Sequence, residues 1–394
     1  MASRSVEEHA EHIRDLLTGL GEATENIALA DALGRVTVAA ITSPVDLPLF
    51  RNSQMDGFAV RAADVTNPPV TLPIAGEIAA RPLTPDALLP GTAVRIMTGA
   101  VVPDGADAVV PVEDTETVGD TVTIARKRSA GEYVRERGSD TSAGSELLPA
   151  GRTLASRHLA ALAAAGISRV EVRSRIRVAV ITTGAELIGP GETPSLGQIF
   201  DANSVAVVAA VRSAGAVVSF TARVTDHVDA MLEALASAAA TSDVIVTSGG
   251  ISMGDYEVVR EALEPLGASV GHVAMQPGGP QATAHFNGVP VLCFPGNPVS
   301  TQLSFEIFLA PVLREIAGLP ASLHAMRELA AEITSAPGKR QFLRGRYDDA
   351  GRVTTVAGPG SHLVAGLAAS DVLIEIPTTT IFLNKGELVK IWQL

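Results

Sequence analysis

Three stretches of the chain decide its fold: RVAVITTG (177–184), DVIVTSGG (243–250) and VPVLCFPG (289–296). Each is a continuous apolar run that leads to a glycine, and a segment with helical periodicity follows each one. Uninterrupted apolar runs are typical of parallel strands that helices cover on both faces. The region 175–326 therefore predicts an α/β domain with a mostly parallel sheet.

The regions on either side of this domain have different patterns. Residues 44–140 consist of short β-like runs between Pro, Gly and Asp turns, which predicts an inserted β domain. Residues 1–43 and 141–174 carry helical patterns, so we expect them to form one discontinuous helical linker domain. After the α/β domain, residues 327–394 return to β-like runs and predict a small, β-barrel-like C-terminal domain.

Individual residues predict where helices begin or bend. Ser5 and Glu8 have the spacing of a capping box. Ser156 and Asp226 are residue types that favour N-cap positions, and each precedes a helical pattern. Pro311 lies inside a predicted helix, so we expect a kink there.

Composition restricts the partners and the compartment. The formal charge of the 394 residues is −13, with no long Lys/Arg run, which argues against nucleic acid as a partner. A single cysteine, Cys293, excludes an internal disulfide and a cysteine-based metal site, and is consistent with a reducing compartment. The acidic N-terminal segment and the absence of long apolar runs predict a cytoplasmic protein with no membrane contact.

Glycine-rich loops follow the predicted strands of the α/β domain. They are TTGAELIGPGE (182–192), SGGISMGDYE (248–257) and FPGNPVS (294–300). Ligands of open α/β sheets bind at the carboxyl ends of the strands, where backbone N–H groups point outward. The loops together predict a site for a phosphate or a pterin-like anion. The spacings of a dinucleotide fingerprint, a P-loop, a zinc-protease helix and a nucleophile elbow are absent, which disfavours those enzyme classes.

Several longer motifs are distributed along nearly the whole chain. They are NSQMDGFAVR (52–61), AVRIMTGA (93–100), PDGADAVVPVED (103–114), SGGISMGDYE, FPGNPVS and GSH (360–362). In sequence and in order they resemble the signatures of the molybdopterin molybdenumtransferase family, which contains MoeA and the E domain of gephyrin. The resemblance implies that the inserted β domain is a lid and that the α/β domain binds molybdopterin.

The resemblance also implies a reaction and partners. Molybdenum from molybdate is inserted into adenylyl-molybdopterin, the adenylate is hydrolysed and AMP is released, with Mg²⁺ as cofactor. A homodimer is implied, with the lid of one subunit paired with the α/β domain of the other, as are handover contacts with molybdopterin adenylyltransferase and molybdoenzymes. Two other functions stay open: a catalytically weakened binding or scaffolding protein, and a related enzyme that processes another pterin or a nucleotide.

Site residues are carried over from the family position by position. The implied catalytic residues are Asp56, Thr98, Glu186, Asp226 and Asp255, and the last three are also the implied cation ligands. The implied binding residues are Thr183, Gly184, Ser248, Gly249, Gly250, Pro295, Asn297, Pro298, Ser300, Arg344 and Ser361.

Several of these residues have structural interpretations that stay open. Asp56 fits a hairpin turn with Gly57, Thr98 the end of a strand and Glu186 a solvated loop. Asp226, Asp255 and Ser361 fit helix caps, and Pro295 and Pro298 fit a tight turn before a helix. Arg344 and Arg346 are two residues apart in a predicted strand, which gives either a basic face or a solvated edge strand.

One loop departs from the family pattern. Residues 276–280 read QPGGP, where the family commonly resembles KPGKP, so Gln276 and Gly279 replace two lysines. An ammonium group at each position would attract an oxyanion. We therefore expect a weaker affinity for molybdate than in relatives that carry the lysines.

Overall fold

The computed structural model describes residues 3–251 and 257–394, so the predicted site residue Asp255 lies outside the described residues. The helices are α1 (Val6–Leu16), α2 (Ser156–Ala164), α3 (Ala202–Ser213), α4 (Val228–Ala239), α5 (Val258–Leu263), α6 (Pro298–Ser304), α7 (Ala310–Ile316) and α8 (Val364–Ala368). The strands are β1 (Thr24–Ala28), β2 (Ile41–Thr42), β3 (Asn52–Ser53), β4 (Gly57–Val60), β5 (Val70–Ile78), β6 (Ala93–Ile96), β7 (Ala108–Pro111), β8 (Thr115–Val118), β9 (Thr121–Ile124), β10 (Val134–Arg135), β11 (Glu146–Leu148), β12 (Arg169–Arg173), β13 (Arg177–Thr183), β14 (Leu187–Ile188), β15 (Ile199–Phe200), β16 (Val217–Val224), β17 (Val244–Ser248), β18 (Ser269–His272), β19 (Met275–Gln276), β20 (Pro280–Phe286), β21 (Val289–Phe294), β22 (His324–Glu328), β23 (Ile333–Thr334), β24 (Arg340–Tyr347), β25 (Val353–Thr355), β26 (Val372–Ile376), β27 (Phe382–Leu383) and β28 (Leu388–Gln393).

The chain forms two compact units. One consists of Met1–Glu25 and Arg173–Leu394, and the other of Asn26–Val172. The predicted boundaries between linker, lid, α/β and C-terminal domains are finer than this division and stay predictions. Helix α1 belongs to the first unit, where Val6, Ile13 and Leu17 join its core.

The first unit contains the predicted α/β sheet, in the order β16-β13-β17-β21-β20-β18. The first four strands are parallel, and β20 and β18 are antiparallel to their neighbours, so the expectation of a mostly parallel sheet is confirmed. Consecutive residues of β13 alternate between two cores: Val178 and Val180 enter one, Ala179 and Ile181 the other. Both faces of the sheet are therefore buried, which is why its strands are continuously apolar.

Cys293 lies on one of these buried faces. Burial raises the pKa of its thiol to about 12. The thiol therefore packs as a small apolar group.

The helix that contains Pro311 is interrupted rather than simply kinked. Between α6 and α7 the residues Phe305–Leu309 form a π-helical turn, and Pro311 lies in the first turn of α7. Because proline has no N–H to donate, the chain changes its hydrogen-bond spacing just before it.

The sequence predicts serine N-caps for α1 and α2, and the structure confirms only the first. At α1 the capping box is confirmed, because the Ser5 N–H donates to Glu8 Oε2 at 2.7 Å and the Glu8 N–H donates to Ser5 Oγ at 3.1 Å. At α2 the expected cap was wrong: Ala155 is the N-cap and Ser156 is the first helical residue. The Ala155 N–H donates to His158 Nδ1 at 3.0 Å, so a histidine ring satisfies this donor.

The C-terminal residues of the first unit form a second sheet, in the order β19-β24-β26-β28-β22, with β25 paired to β24. Its apolar core includes Leu343, Val353, Ile374 and Ile391. Strand β19 comes from the preceding α/β region and pairs in parallel with β24.

The second unit contains a six-stranded sheet in the order β7-β4-β6-β5-β9-β8. Two short antiparallel pairs, β3 with β10 and β2 with β11, join segments that lie before and after this sheet in sequence. An inserted β module with flanking segments that return to each other is the arrangement the sequence predicts. In the part of the chain that the structure describes, no helix is long and apolar enough to cross a membrane.

Candidate functional site

The carboxyl ends of β13, β17 and β21 bring the glycine-rich loops together. Thr182 is opposite Ser248, and Ser248 is opposite Phe294 in register. A Cβ at Gly249, whose φ is +96°, would lie 2.8 Å from the Thr183 carbonyl oxygen. A Cβ at Gly296 would lie 3.2 Å from Gly249 Cα. Glycine is therefore required where the three loops meet, and the predicted convergence at this edge is observed.

A buried hydroxyl network holds these loops in place. Ser248 Oγ lies 3.1 Å from Thr301 Oγ1, and Thr301 Oγ1 donates to the Pro295 carbonyl at 2.5 Å. Asn203 Nδ2 donates to Ser248 Oγ at 2.9 Å and to the Gly296 carbonyl at 2.6 Å. The predicted binding residues Ser248 and Pro295 thus share one network with Asn203.

The sequence prediction missed Asn203 as part of this site. The signal was the DANS segment (201–204), in which a residue type that favours N-cap positions, Asp201, lies two residues before Asn203. Asp201 is the N-cap, accepts from the Ser204 N–H at 3.0 Å and accepts from Thr182 Oγ1 at 2.7 Å. This cap fixes the first turn of α3 and aims Asn203 at the loops.

Asp226 faces the loop after β13 and does not cap a helix. Helix α4 begins at Val228 with His227 as N-cap, so the helix-cap interpretation of Asp226 was wrong. Its carboxylate accepts from Thr183 Oγ1 at 3.4 Å and from the Ala185 N–H at 3.1 Å. The side chain is exposed, and it keeps further lone pairs for a ligand.

Glu186 lies in the same turn as these partners of Asp226. A Cβ at Gly184 would lie 2.6 Å from Glu186 Oε2 and 2.7 Å from Oε1, so the carboxylate folds over the glycine. Glu186 is exposed. The carboxylates of Glu186 and Asp226 therefore both lie at the 183–186 turn. Carboxylate oxygens are the protein ligands that Mg²⁺ prefers.

The described part of the chain holds no group of three His, Cys, Asp or Glu residues arranged to bind a metal. The third implied cation ligand, Asp255, lies in the segment outside this part. Mg²⁺ is commonly held by only one or two carboxylates together with substrate phosphates. The pair Glu186 and Asp226 fits that mode of binding.

Asp56 and Thr98 meet within the second unit. Asp56 Oδ1 accepts from the Thr98 N–H at 2.7 Å and from Thr98 Oγ1 at 3.0 Å. These two hydrogen bonds lower the pKa of Asp56, which favours its charged form. Strand β4 pairs with β6 and β7 rather than with β3, so the hairpin-turn interpretation of Asp56 was wrong.

Arg344 lies in the interior of the first unit. Its residue is only 1% exposed, so the interpretation as a solvated edge strand or an exposed basic face was wrong for this residue, whereas Arg346 is exposed. Arg344 Nη2 donates to the Gly358 carbonyl, while Nε and Nη1 have no hydrogen-bond partner among the described residues. Burial lowers the pKa of this guanidinium.

The 358–362 loop contacts the start of α6. The Ser361 carbonyl accepts from the Val299 N–H at 3.0 Å, and α8 begins only at Val364, so Ser361 is not its N-cap. Pro298 occupies the first turn of α6, as its structural interpretation predicts, and Asn297 is the N-cap without a side-chain hydrogen bond. Ser300 is buried in the same turn. The backbone of Ser361 is therefore in contact with the first turn of α6, which carries the implied binding residues Pro298 and Ser300.

The 276–280 loop packs beside this helix. Gln276 Oε1 accepts from Gln341 Nε2 at 2.7 Å. Gly278 has a φ of +102°, and its Cβ would lie 3.7 Å from the Ser300 carbonyl oxygen. Gly279 is outside the left-handed region, but a Cβ there would lie 2.4 Å from the His272 ring. A side chain at 279 thus requires His272 to move.

Comparison with known families covers most of the chain. The family described as "MoeA N-terminal region (domain I and II)" matches residues 4–166. The family described as "Probable molybdopterin binding domain" matches residues 179–315, and the "MoeA C-terminal region (domain IV)" matches residues 327–394.

Similar proteins carry related names. "Molybdopterin molybdenumtransferase 2" of Mycobacterium tuberculosis is 40% identical over 99% of this chain and its own full length. "Molybdopterin molybdenumtransferase" of a Nostoc species is 35% identical over 94% of this chain and 89% of its own. The crystal structure of the molybdopterin biosynthesis MoeA protein from Pyrococcus horikoshii superposes with a TM-score of 0.85 at 30% identity, covering 100% of this chain and 99% of that one.

Proposed function

Because the chain belongs to the MoeA family of molybdopterin molybdenumtransferases, we propose that adenylyl-molybdopterin binds at the carboxyl edge of the β13–β17–β21 sheet and receives molybdenum there. Members of the family are molybdenumtransferases, and they act in the biosynthesis of the molybdenum cofactor. Neither the scaffolding protein nor an enzyme for another pterin or nucleotide is favoured by these relatives.

The convergence of three tight loops beside two carboxylates is the observation that carries the proposal. Gly184, Gly249 and Gly250 allow a phosphate or a pterin to approach the backbone N–H groups closely. Thr183 and Ser248 add hydroxyl groups at the same edge, and Thr183 also orients Asp226. Such an edge binds an anionic substrate in spite of the negative net charge of the chain.

Cleavage of a phosphoanhydride such as the adenylate requires neutralisation of charge on its phosphate oxygens. We assign that role to Mg²⁺, held by Glu186 and Asp226 and, as the family resemblance implies, by Asp255. When bound, the cation would supply electrostatic stabilisation to the phosphate. Asp226 would in turn be held in place by the Thr183 hydroxyl and the Ala185 N–H.

The remaining residues are assigned to the anionic groups of the substrates. Pro295, Asn297, Pro298 and Ser300 would shape the pocket for the dithiolene and the incoming oxyanion. Arg344 has two nitrogens, Nε and Nη1, without a partner among the described residues, and it is proposed as an anion contact together with Ser361. With Gln276 and Gly279 in place of lysines, we expect molybdate to bind weakly.

Asp56 and Thr98 are proposed to act as a pair. The hydrogen bonds from Thr98 leave Asp56 Oδ2 without a partner among the described residues. The depressed pKa of Asp56 keeps this oxygen negative at neutral pH. An ionised carboxylate held in this way is suited to orient a cation or a water molecule rather than to donate a proton.

A homodimer is part of the proposal. Large apolar side chains are exposed around the 196–205 segment of the first unit, namely Leu196, Ile199, Phe200 and Val205. Exposed clusters of this kind often mark protein contacts.

We further propose a cytoplasmic location and handover contacts with molybdopterin adenylyltransferase and molybdoenzymes.

The test of this function is release of AMP from adenylyl-molybdopterin. We expect AMP to appear when molybdate and Mg²⁺ are both supplied, and not when the cation is removed with EDTA. Readdition of Mg²⁺ should restore the rate. AMP release at an unchanged rate in EDTA would contradict the assignment of Mg²⁺ to Glu186 and Asp226.

A further inference from the structure

The first unit contains a cavity that the proposed reaction does not use. It has a volume of about 240 Å³ and lies between α3, α6 with the π-helical turn that follows it, α8 and β26. Its wall is mainly aliphatic and aromatic, with Val207, Leu303, Phe305, Leu367 and Leu373 among the lining residues. None of the residues assigned above to substrate or cation lines it.

One carboxylate is set in this apolar wall. Glu306 lines the cavity, and neither a hydrogen bond nor an ion pair to its carboxylate is formed by the described residues. The residue is partly rather than fully buried, so the cavity gives access to it. Burial raises the pKa of Glu306, and Arg314 opposes this effect only in part.

The local backbone indicates that this arrangement is not a packing defect. Glu306 is the polar member of the π-helical turn Phe305–Leu309, in which Phe305, Ile307, Phe308 and Leu309 are all buried. An unpaired carboxylate in an apolar wall destabilises the fold, and an aliphatic side chain would avoid that loss. Turns of this type occur frequently at functional sites.

The residues that line the cavity indicate which class of ligand would bind there. A carboxylate attracts a cation, and the apolar wall favours a compact hydrocarbon body next to the charge. The Gln302 amide and the Ser370 hydroxyl also line the cavity and supply further acceptors. The net charge of −13 raises the local concentration of cations around the whole chain.

We propose that this cavity binds a small organic monocation, an amine or a guanidine with a compact apolar body, whose charge pairs with Glu306. The size agrees with this class of ligand. A cavity of about 150 Å³ is large enough for benzene. The larger cavity here leaves room for a ring with a short, positively charged substituent.

The experiment uses the full-length protein and benzylammonium as the probe, with binding measured by calorimetry. Benzyl alcohol serves as a neutral probe of nearly the same shape. We expect saturable binding of benzylammonium, and at least tenfold weaker binding of the alcohol. Glu306→Gln should weaken benzylammonium binding at least tenfold and leave benzyl alcohol binding unchanged.

Two further variants complete the design. Glu233→Gln, which removes an exposed carboxylate from α4, should bind benzylammonium as the unmodified chain does. Ala210→Leu fills part of the cavity from α3 and should abolish binding of both probes. Should Glu306→Gln not fold, the preference of the unmodified chain for the ammonium over the alcohol, together with the loss in Ala210→Leu, decides the question.

Three results would overturn the proposal. The first is equal affinity of Glu306→Gln and the unmodified chain for benzylammonium. The second is an absence of saturable binding at millimolar probe. The third is dissociation of an oligomer by Ala210→Leu in sedimentation, which would mean that a second copy of the chain occupies the cavity.

Discussion

At the scale of single residues, Asp226 links the loop after β13 to the proposed cation. Asp226→Asn keeps the size of the side chain and one acceptor oxygen for the Ala185 N–H, but it removes the negative charge. We predict that AMP release falls by about 100-fold or more, the magnitude seen when one electrostatic group of a catalytic site is lost. The unfolding temperature should change little because Asp226 is exposed and caps no helix.

The matched control for this variant is Asp229→Asn, three residues further along in the first turn of α4. It removes the same charge from an exposed position, and no hydrogen bond joins Asp229 to the 183–186 turn among the described residues. It should retain the AMP release rate of the unmodified chain. Full activity of a folded Asp226→Asn variant would remove Asp226 from the site.

His9 is a second residue whose environment has a measurable consequence. It is only 2% exposed, and the centroid of its ring lies 4.7 Å from that of the Phe308 ring. Burial lowers the pKa of His9 to about 4 from 6.5, with smaller contributions from His12 and Arg4. The unfolded chain therefore binds more protons than the folded chain between these two pH values.

The sign of the pH effect follows from this difference. The free energy of unfolding is at its full value above about pH 6.5 and falls as the pH drops toward 4, by about 2 kcal/mol at pH 5. We predict that His9→Leu lacks this part of the pH dependence. Thermal unfolding at pH 7.5 and pH 5 measures it, with His285→Leu at an exposed position of β20 as control. Equal pH dependence in His9→Leu and the unmodified chain would contradict the depressed pKa.

At the scale of elements, the 276–280 loop carries the departure from the family. Gln276→Lys introduces a positive charge beside α6 without requiring His272 to move, unlike a lysine at Gly279. We predict that it lowers the molybdate concentration needed for half-maximal insertion, and that the gain shrinks as salt is added because screening weakens the attraction. The variant also loses the hydrogen bond from Gln341, so its stability should fall by about 1 kcal/mol.

If Gln276→Lys leaves the molybdate dependence unaltered at low salt, position 276 does not contact the oxyanion. Arg344 then becomes the better candidate for the molybdate contact. In that case Arg344→Met, which replaces a buried and partly unpaired guanidinium by an apolar chain, should raise the molybdate requirement while it increases stability.

Elements were predictable from the sequence where one physical pattern dominates. The runs at 177–184, 243–250 and 289–296 are strands because both faces of their sheet are buried, and their glycines mark loops that approach within van der Waals contact. Side-chain direction was harder to predict, since the residue type of Asp226 suits both a cap and a ligand. The burial of Arg344 was also not readable, because it depends on the placement of β24 between β19 and β26.

At the scale of the whole molecule, the exposed apolar residues at 196–205 predict a contact between two copies of the chain. We expect the unmodified protein to sediment as a dimer at micromolar concentration. Phe200→Asp should shift it toward the monomer, because burying an unpaired carboxylate in an apolar contact is unfavourable. Leu323→Asp, at another exposed apolar position, is the control and should leave the dimer intact. A monomeric unmodified protein would contradict the dimer.

The central claim is that this chain inserts molybdenum at the carboxyl edge of its parallel sheet. The measurement that tests it most directly supplies the purified protein with adenylyl-molybdopterin, molybdate and Mg²⁺, and follows AMP and the activity of an added apo-molybdoenzyme together. We predict that both appear in parallel and that both are lost in Asp226→Asn but kept in Asp229→Asn. A folded protein that releases no AMP and reconstitutes no enzyme at saturating molybdate would contradict the account.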